Sequence, residues 1–259
     1  MNAAPELQHR TGSRVLARSQ AAMRYRLRLA ASDADLRAAQ NLRFIVFNVE
    51  LNEGLEEAYN TCLDSDRFDA VCDHLLVEEV TTGDIVGTYR LQTGDSAGRN
   101  LGFYSAQEFD FTPFNAVRGE LLELGRACVH SQHRNLAVLG LLWKGIAAYA
   151  RTHGARYLIG CSSVTTQSPA TGWSIYESLQ TRFSAPPEWI TRPLAGFELP
   201  ATPERDATAR VPKLLGAYLS LGARICGVPA LDREFKTVDF LTILDLASLP
   251  PEIVERYLT

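Results

Sequence analysis

Glu123 and Arg126 interrupt a segment that otherwise has the composition of a buried strand, Glu120-Leu-Leu-Glu123-Leu-Gly-Arg126-Ala-Cys-Val-His130. A carboxylate or guanidinium taken out of water is costly unless it is paired or used. The two residues therefore read either as half of a polar site or as a strand-end salt bridge. A polar turn follows, Ser131-Gln-His133-Arg134-Asn135, and then an apolar run from Leu136 to His153 with the length of a helix. Free N–H groups and the dipole at a helix start favour anions and thioester-carrier groups, so this turn would set such an end beside the charged strand. No acidic residue occurs in the 53 positions between Glu123 and Glu177, although the whole chain carries a net charge of −4.

The elements around this unit are legible from periodicity. Tyr25 to Ala30 alternates as an edge strand would. Ser32 is an N-cap candidate before the periodic Leu36, Ala39, Phe44 and Phe47 of a helix. The acidic segment Glu50 to Asp69 reads as a solvated loop. Asp73 to Val80 and Ile85 to Leu91 are strands joined by the hairpin signal Thr81-Thr-Gly83-Asp84. Residues 92 to 118 read as irregular. A strand from Arg156 to Val164, a helix after Pro169, a proline-rich excursion, a helix from Pro212 to Gly222 and a strand from Thr237 to Asp245 complete the chain. This order implies an α+β fold with a mixed sheet.

At 259 residues the chain can bury one large core, and the expectation is a single domain over residues 25–259 preceded by a basic arm over 1–24. Residues 1–28 hold six arginines against Glu6 alone, about +5, and the rest of the chain carries about −9. Such an arm suits an anionic membrane surface or is a solvated tail. The acidic remainder argues against nucleic acid. With 46% hydrophobic and 22% charged residues the composition is that of a soluble protein, and no apolar run reaches 18 residues. Five cysteines without a C-x-x-C pair point to reduced thiols in a cytoplasm. No secretory signal is visible, so the expected place is the cytoplasm, with peripheral contact at the inner face of its membrane through the arm.

Two levels of family resemblance rest on these residues. The charged strand and following helix resemble the fourth strand and helix of the GNAT N-acyltransferase superfamily, which implies a GNAT-like mixed central sheet flanked by helices. In that superfamily a splayed strand offers an N–H to the thioester carbonyl and the helix end holds the pantetheine or pyrophosphate. The stretch corresponding to its acyl-CoA signature is Arg134-Asn-Leu-Ala137-Val-Leu139. Ala137 and Leu139 stand where small residues would cradle a pyrophosphate, which favours an acyl group on a carrier protein over a CoA thioester. Arg43-x-x-x-Phe47, Asp66-x-x-Asp69, His74-Leu-Leu-Val77, Gly87-Thr-Tyr-Arg90-Leu and Glu123-Leu-Gly-Arg126 together resemble the acyl-homoserine-lactone synthases, although the tryptophan those enzymes carry after the first element is missing. Asp-Arg67-Phe-Asp69, Asp73-His-Leu-Leu-Val, the run from Glu123 to His130, Leu142-Trp-Lys-Gly-Ile146, Gly160-Cys-Ser-Ser and Tyr218 to Ala230 are more similar to the ornithine lipid N-acyltransferases. That resemblance covers roughly residues 25 to 245 and implies transfer of a 3-hydroxy fatty acyl group from acyl carrier protein to the α-amine of L-ornithine. The alternatives are another N-acyl amino acid synthase or a signal synthase, and, in a different class, a non-catalytic membrane-surface module.

The residue types fit that chemistry. Amide formation from a thioester needs a neutral amine, donors on the thioester carbonyl and charged groups that hold a zwitterion. Glu123 and Arg126 are the expected catalytic residues. Arg43, Asp66, Asp69 and Arg90 are the expected substrate-binding set, with Arg43, Arg90 and Arg126 equally able to face a carboxylate, and Asp66, Asp69 and Glu123 equally able to face a side-chain ammonium or to act as general base. Val129, His130, His133, Arg134, Asn135 and Lys144 are expected to meet the acyl-pantetheine and its acidic carrier. No resident cofactor is expected, because the 4'-phosphopantetheine arrives on the substrate. No metal is expected either: Cys128, His130 and His133 lack a fourth ligand at a familiar spacing, and Asp64-x-Asp66-x-x-Asp69 lacks the glycine of a calcium loop. Ser162 and Ser163 lack the G-x-S-x-G context of a serine hydrolase.

Overall fold

Eight strands form one sheet in the computed structural model, which describes residues 24–257. The basic arm therefore lies, apart from Arg24, outside the described residues. The strands are β1 (Tyr25–Leu29), β2 (Asp73–Glu79), β3 (Ile85–Thr93), β4 (Leu121–Val129), β5 (Tyr157–Val164), β6 (Arg224–Ile225), β7 (Ala230–Asp232) and β8 (Thr237–Asp245). Their order across the sheet is β1-β2-β3-β4-β5-β8-β6, with β7 also paired to β8. All neighbours are antiparallel except β4 and β5, which are parallel. The sheet is thus mixed, as the element order implies.

Charge protects the free edge. Arg26 and Arg28 of β1 pair with Glu78 on β2 at 2.7 and 2.9 Å, and Arg28 also reaches Asp35 at 2.7 Å. Asp35 lies in the first turn of α1 (Asp33–Phe44), whose N-cap is Ser32 as expected. Helix α1 runs on into a wider π-turn segment, Ile45–Glu50. Short helices α2 (Ala58–Thr61) and α3 (Gly94–Arg99) lie in the connections on either side of the β2–β3 hairpin.

The sheet is covered on both faces, which explains its nearly continuous apolar strands. Helix α4 (Leu136–Thr152) lays Val138, Leu142 and Ile146 against Leu75, Val77, Leu91 and Leu122. On the opposite face Phe103, Phe109, Phe111 and Phe114 pack with Leu121, Ile159 and Leu241. Residues 92–118 are therefore not irregular. Buried aromatics need a backbone whose polar groups are satisfied locally, and the segment supplies α3 and the 3₁₀ turns Ser105–Gln107 and Thr112–Glu120. Helices α5 (Pro169–Phe183) and α6 (Lys213–Ser220) close a third apolar cluster over β8, and α7 (Pro251–Tyr257) ends the described chain. Among the described residues no helix is long and apolar enough to cross a membrane.

Two irregularities in β4 create the site. Its ladder to β5 lasts only three residues, Leu121 to Glu123 against Tyr157 to Ile159, whereas β5 follows β8 for its whole length. Beyond Glu123 the parallel strands part. The register to β3 also shifts between Thr88 and Arg90, and Arg126 sits there with φ +50°. A non-glycine residue in the left-handed region costs on the order of 1 kcal/mol, and here it turns the arginine out of the alternation of the strand. At the parting point Gly160 passes so close to β4 that an added Cβ would lie 2.3 Å from the Leu124 carbonyl oxygen.

Gly160→Ala should accordingly lower the melting temperature by about 4–10 °C, because backbone has to move. Gly140→Ala, on α4 with nothing within 4 Å of its added Cβ, should raise it slightly through lower unfolded-state entropy. Paired thermal melts check both.

Candidate active site

Helix α1, the loop at 64–69, β3 and β4 bring three arginines and three aspartates into one buried network. Arg43, near the end of α1, donates through Nε to Asp64 Oδ1 at 2.8 Å and through Nη1 and Nη2 to the two Asp69 oxygens at 2.9 and 2.7 Å. Its Nη2 also reaches the Asp64 carbonyl. Arg90 Nη1 donates to both oxygens of Asp66 at 2.6 and 2.7 Å and to Asp69 Oδ1 at 3.1 Å. Arg126 Nη2 donates to Asp66 Oδ2 at 3.0 Å, while its Nε is 3.5 Å from Asp64 Oδ1 without a hydrogen bond. Asp64 and Asp69 are buried and Asp66 is nearly so. The acidic segment is thus solvated only in its first half, where Glu50, Glu56 and Glu57 are exposed; Asp64, Asp66 and Asp69 enter the fold because three guanidinium groups wait there.

Opposite charge decides protonation in this network. Burial alone would raise the Asp66 carboxyl, but the charges of Arg90 and Arg126 more than reverse it and hold it below its ordinary range. Asp69 is held down likewise, burial being outweighed by hydrogen bonding and charge from Arg43 and by Arg90. Burial would lower the Arg126 guanidinium, yet Asp64, Tyr104 and Asp66 keep it above its usual value.

Glu123 is buried beside the network but does not pair with Arg126. Its two oxygens accept the backbone N–H groups of Tyr104 and Ser105 at 2.7 and 2.8 Å. Burial raises its carboxyl, partly offset by hydrogen bonds from Ser105 and Tyr104. The strand-end salt bridge is therefore absent among the described residues, and the carboxylate fixes the turn that carries the Tyr104 ring. That ring lies under both Arg90 and Arg126, with guanidinium carbons 5.3 and 5.2 Å from its centroid. Phe235, in the turn between β7 and β8, also stacks on Arg126, its ring centroid 4.2 Å from the guanidinium carbon.

The same turn leads to Glu108, which meets Asp232 of β7 and Asp239 of β8. One oxygen from each lies within 4.8 Å of the others, and all three residues are buried. Asp232 Oδ1 accepts the Glu234 and Phe235 N–H groups at 2.8 and 2.9 Å. Among the described residues this is the one convergence of three metal-capable side chains, and it excludes Cys128, His130 and His133. Cys128 is packed with Leu42 and Val46 instead.

The entrance of α4 is more occupied than the sequence implies. Asn135 caps the helix, its Oδ1 accepting the Ala137 and Val138 N–H groups at 3.0 and 3.1 Å. His133 is buried, with Nδ1 3.0 Å from the Tyr25 hydroxyl, and His130 Nδ1 accepts the Gln132 N–H at 3.4 Å. Arg134 donates to the Val129 carbonyl at 3.0 Å and pairs with Glu50. Lys144 is exposed on α4. Two of the N–H groups expected to face an incoming group are thus already bound by Asn135.

Residues 42–144 match the acetyltransferase (GNAT) domain family. An L-ornithine N(alpha)-acyltransferase from Brucella abortus (strain 2308) is 37% identical over 247 residues, covering 89% of this chain and 88% of that one. The chain belongs to the L-ornithine N(alpha)-acyltransferase family. The enzyme of that name from Agrobacterium fabrum (strain C58 / ATCC 33970) is 35% identical over 89% of this chain and 84% of its own. A solved CoA-dependent acyl-homoserine lactone synthase superposes with a TM-score of 0.52 at 14% identity, covering 89% of this chain and 86% of that one, which shows the shared fold. This member of the family is an N-acyltransferase with the GNAT-like sheet.

Within that N-acyltransferase fold, Arg43, Asp66, Asp69, Arg90 and Arg126 come together, Glu123 adjoins them, and Val129 to Asn135 form the neighbouring turn. Asp64, Glu108, Asp232 and Asp239 were not expected at the site. Asp239 carried the same cue as Glu123, a carboxylate within the apolar strand Thr237–Asp245. Glu108 and Asp232 carried none, because only the fold brings β7 to the 103–108 turn.

Removing one member of the network leaves unpaired buried charge. Arg43→Met should cost about 3–5 kcal/mol, measured by urea unfolding at pH 7. Asp66 and Asp69 have depressed folded pKa values, so their contribution is present above the unfolded value of about 4 and is lost as pH falls through the folded one. The loss of stability below about pH 4 should be smaller in Arg43→Met, which no longer holds Asp69 down.

Proposed function

We propose that this chain transfers a 3-hydroxy fatty acyl group from the phosphopantetheine thioester of acyl carrier protein to the α-amine of L-ornithine. The observation that carries the reading is the family's shared identity over nearly the whole chain, joined to an arginine turned out of β4 where β4 and β5 part. In the reaction the neutral α-amine attacks the thioester carbonyl carbon, the C–N bond forms, and charge collects on the carbonyl oxygen. The C–S bond then breaks, and the pantetheine sulfur leaves as the thiol once the amine proton is passed on.

Arg126 is the group suited to the amino acid's carboxylate. Its Nε is buried without a hydrogen-bond partner, and Asp66, Asp64 and two aromatic rings fix the guanidinium. Arg90 and Arg43 have their charges matched by aspartates and act as the frame that orients Asp66 and Asp69. Glu123 works through the Tyr104–Ser105 turn it binds, a positioning role rather than direct contact with the amine. No resident cofactor enters this scheme, since the thioester is already activated on its carrier.

The carrier is favoured over CoA as donor for two physical reasons. Asn135 occupies N–H groups that a pyrophosphate would need, and Leu139 stands exposed at the helix start. The acid-free surface of α4, with Lys144 exposed, suits an acidic carrier protein. A membrane role for the basic arm, at the inner face of the cytoplasmic membrane, belongs to the same reading.

With purified protein and L-ornithine, mass spectrometry should detect the α-amide from 3-hydroxyacyl carrier protein, with kcat/KM at least about tenfold above that for the matching CoA thioester. Lys144→Glu should raise KM for the carrier substrate several-fold at low salt and leave KM for ornithine nearly constant. Equal use of both donors would remove the carrier argument, and absence of the amide would remove the proposed reaction.

A further inference from the structure

The carboxylates of Glu108, Asp232 and Asp239 differ from every other buried acid in the site. Asp64, Asp66 and Asp69 face three arginines, and Glu123 faces two backbone N–H groups. No arginine, lysine or histidine among the described residues forms an ion pair with Glu108, Asp232 or Asp239. Glu108 has the Cys161 thiol, 3.8 Å from Oε2, and a carboxyl–carboxyl hydrogen bond with Asp239, which needs a proton between them. The Thr237 hydroxyl donates to Asp239 Oδ2 at 3.2 Å, while Asp239 Oδ1 is buried with no hydrogen-bond donor in bonding geometry. Asp239 is 4% exposed and Glu108 2%. Three carboxyl groups at this depth, one oxygen wholly unpartnered, require either protons or a cation.

We propose that Glu108, Asp232 and Asp239 form the subsite for the side-chain ammonium of the amino-acid acceptor. Two features select a primary ammonium. The three oxygens lie within 4.8 Å of one another. Acceptors held at about 2.8 Å around the three N–H bonds of a tetrahedral ammonium stand about 4.6 Å apart, so the three oxygens are close enough for one such cation to reach them all. The trio is also linked to Arg126 through Phe235. Asp232 Oδ1 binds the Phe235 N–H at 2.9 Å, and the Phe235 ring lies 4.2 Å from the Arg126 guanidinium carbon. One turn therefore ties the cation subsite to the arginine assigned to the carboxylate, and the acceptor would span the two with its α-amine between them.

Charge regulation gives the subsite a second state. In the absence of a cation, burial together with the charges of Asp239 and Asp232 keeps the Glu108 carboxyl well above its ordinary range. Burial and the Asp232 charge push Asp239 up to about 6, against hydrogen bonds from Ser163 and Thr237. Proton retention thus stands in for the missing cation, and an arriving ammonium displaces the proton. Acids with raised folded pKa values stabilise less as pH rises. Between the unfolded value of about 4 and the folded value near 6 the Asp239 carboxyl therefore loses stability with rising pH, which is recovered on binding.

The inference rests on the ornithine reading, so the test separates the two. Asp239→Asn and Glu108→Gln keep volume and remove charge, and because they relieve repulsion both should fold. With a fixed acyl donor, kcat/KM is measured for L-ornithine and for L-norvaline, which has the same carbon chain without the δ-ammonium. Thermal shifts are recorded in parallel for both ligands and for Mg²⁺, Ca²⁺ and Mn²⁺. Wild type should prefer ornithine by at least about 100-fold, and each variant should lower that ratio at least about tenfold, mainly through KM for ornithine. L-ornithine should raise the melting temperature of wild type and not of the variants. If wild type is stabilised by ornithine through these acids yet does not acylate it, the subsite stands and the proposed reaction falls. An unchanged ratio and unchanged thermal shifts in both variants would overturn the subsite. So would equal losses on both amino acids, which would assign the acids to proton removal, or stabilisation by a divalent metal with turnover abolished by chelation.

Discussion

Three guanidinium groups and three carboxylates share one buried volume, and no single member can leave without stranding charge in a medium of low dielectric constant. Arg43 comes from α1, Asp64, Asp66 and Asp69 from the loop that follows, Arg90 from β3 and Arg126 from β4. Such a network adds little net stability over an apolar core of equal volume. What it adds is geometry, because each partner fixes two others. It draws an acidic loop with little regular structure into the core and holds Arg126 at φ +50°, a conformation that nothing in the strand itself favours.

Around this neutral centre the remaining charges are arranged asymmetrically. Glu123 is satisfied by the Tyr104–Ser105 turn, which places an aromatic ring beneath Arg90 and Arg126 and directs Glu108 towards β7 and β8. On one side of Phe235 lies a guanidinium with an unused donor, and on the other an acidic trio with an unused acceptor. An amino acid with a cationic side chain carries the complementary pair. Strand β4 parts from β5 after Glu123, just before Arg126, and Gly160 permits the close approach to Leu124 at that point.

Much of this was legible in the sequence because the relevant signals were local. Strand and helix periodicity located β1 to β5, β8, α1 and α4 to α6, and the charged residues inside apolar β4 marked the site. The short strands β6 and β7 gave no signal, since two or three residues carry no period. The segment 92–118 was misread because its order comes from burying four phenylalanines against β4, β5 and β8 rather than from a repeat. The acidic loop was misread for a related reason: Asp64 and Asp69 look solvated until Arg43 and Arg90 are placed opposite them. The helix start of α4 was located correctly, but its N–H groups were assigned to a ligand when Asn135 already bound two of them. For the acidic loop and the 92–118 segment the deciding partners lie far away in the chain, where spacing carries no information, whereas the Asn135 cap is a local contact within three residues.

The most direct measurement is a double-mutant cycle between Asp66 and Arg126, read in kcat/KM for amide formation with L-ornithine as acceptor. Asp66 is 3.0 Å from Arg126 and is also bound by Arg90, so it can act on the chemistry only by orienting that guanidinium. Asp66→Asn and Arg126→Lys should each lower kcat/KM by about 10² or more, and the double variant should be little worse than either. The coupling should amount to about 2.7 kcal/mol or more, the full loss of one single variant. Additive losses would contradict the orienting role of the network, as would near-normal turnover in Arg126→Lys.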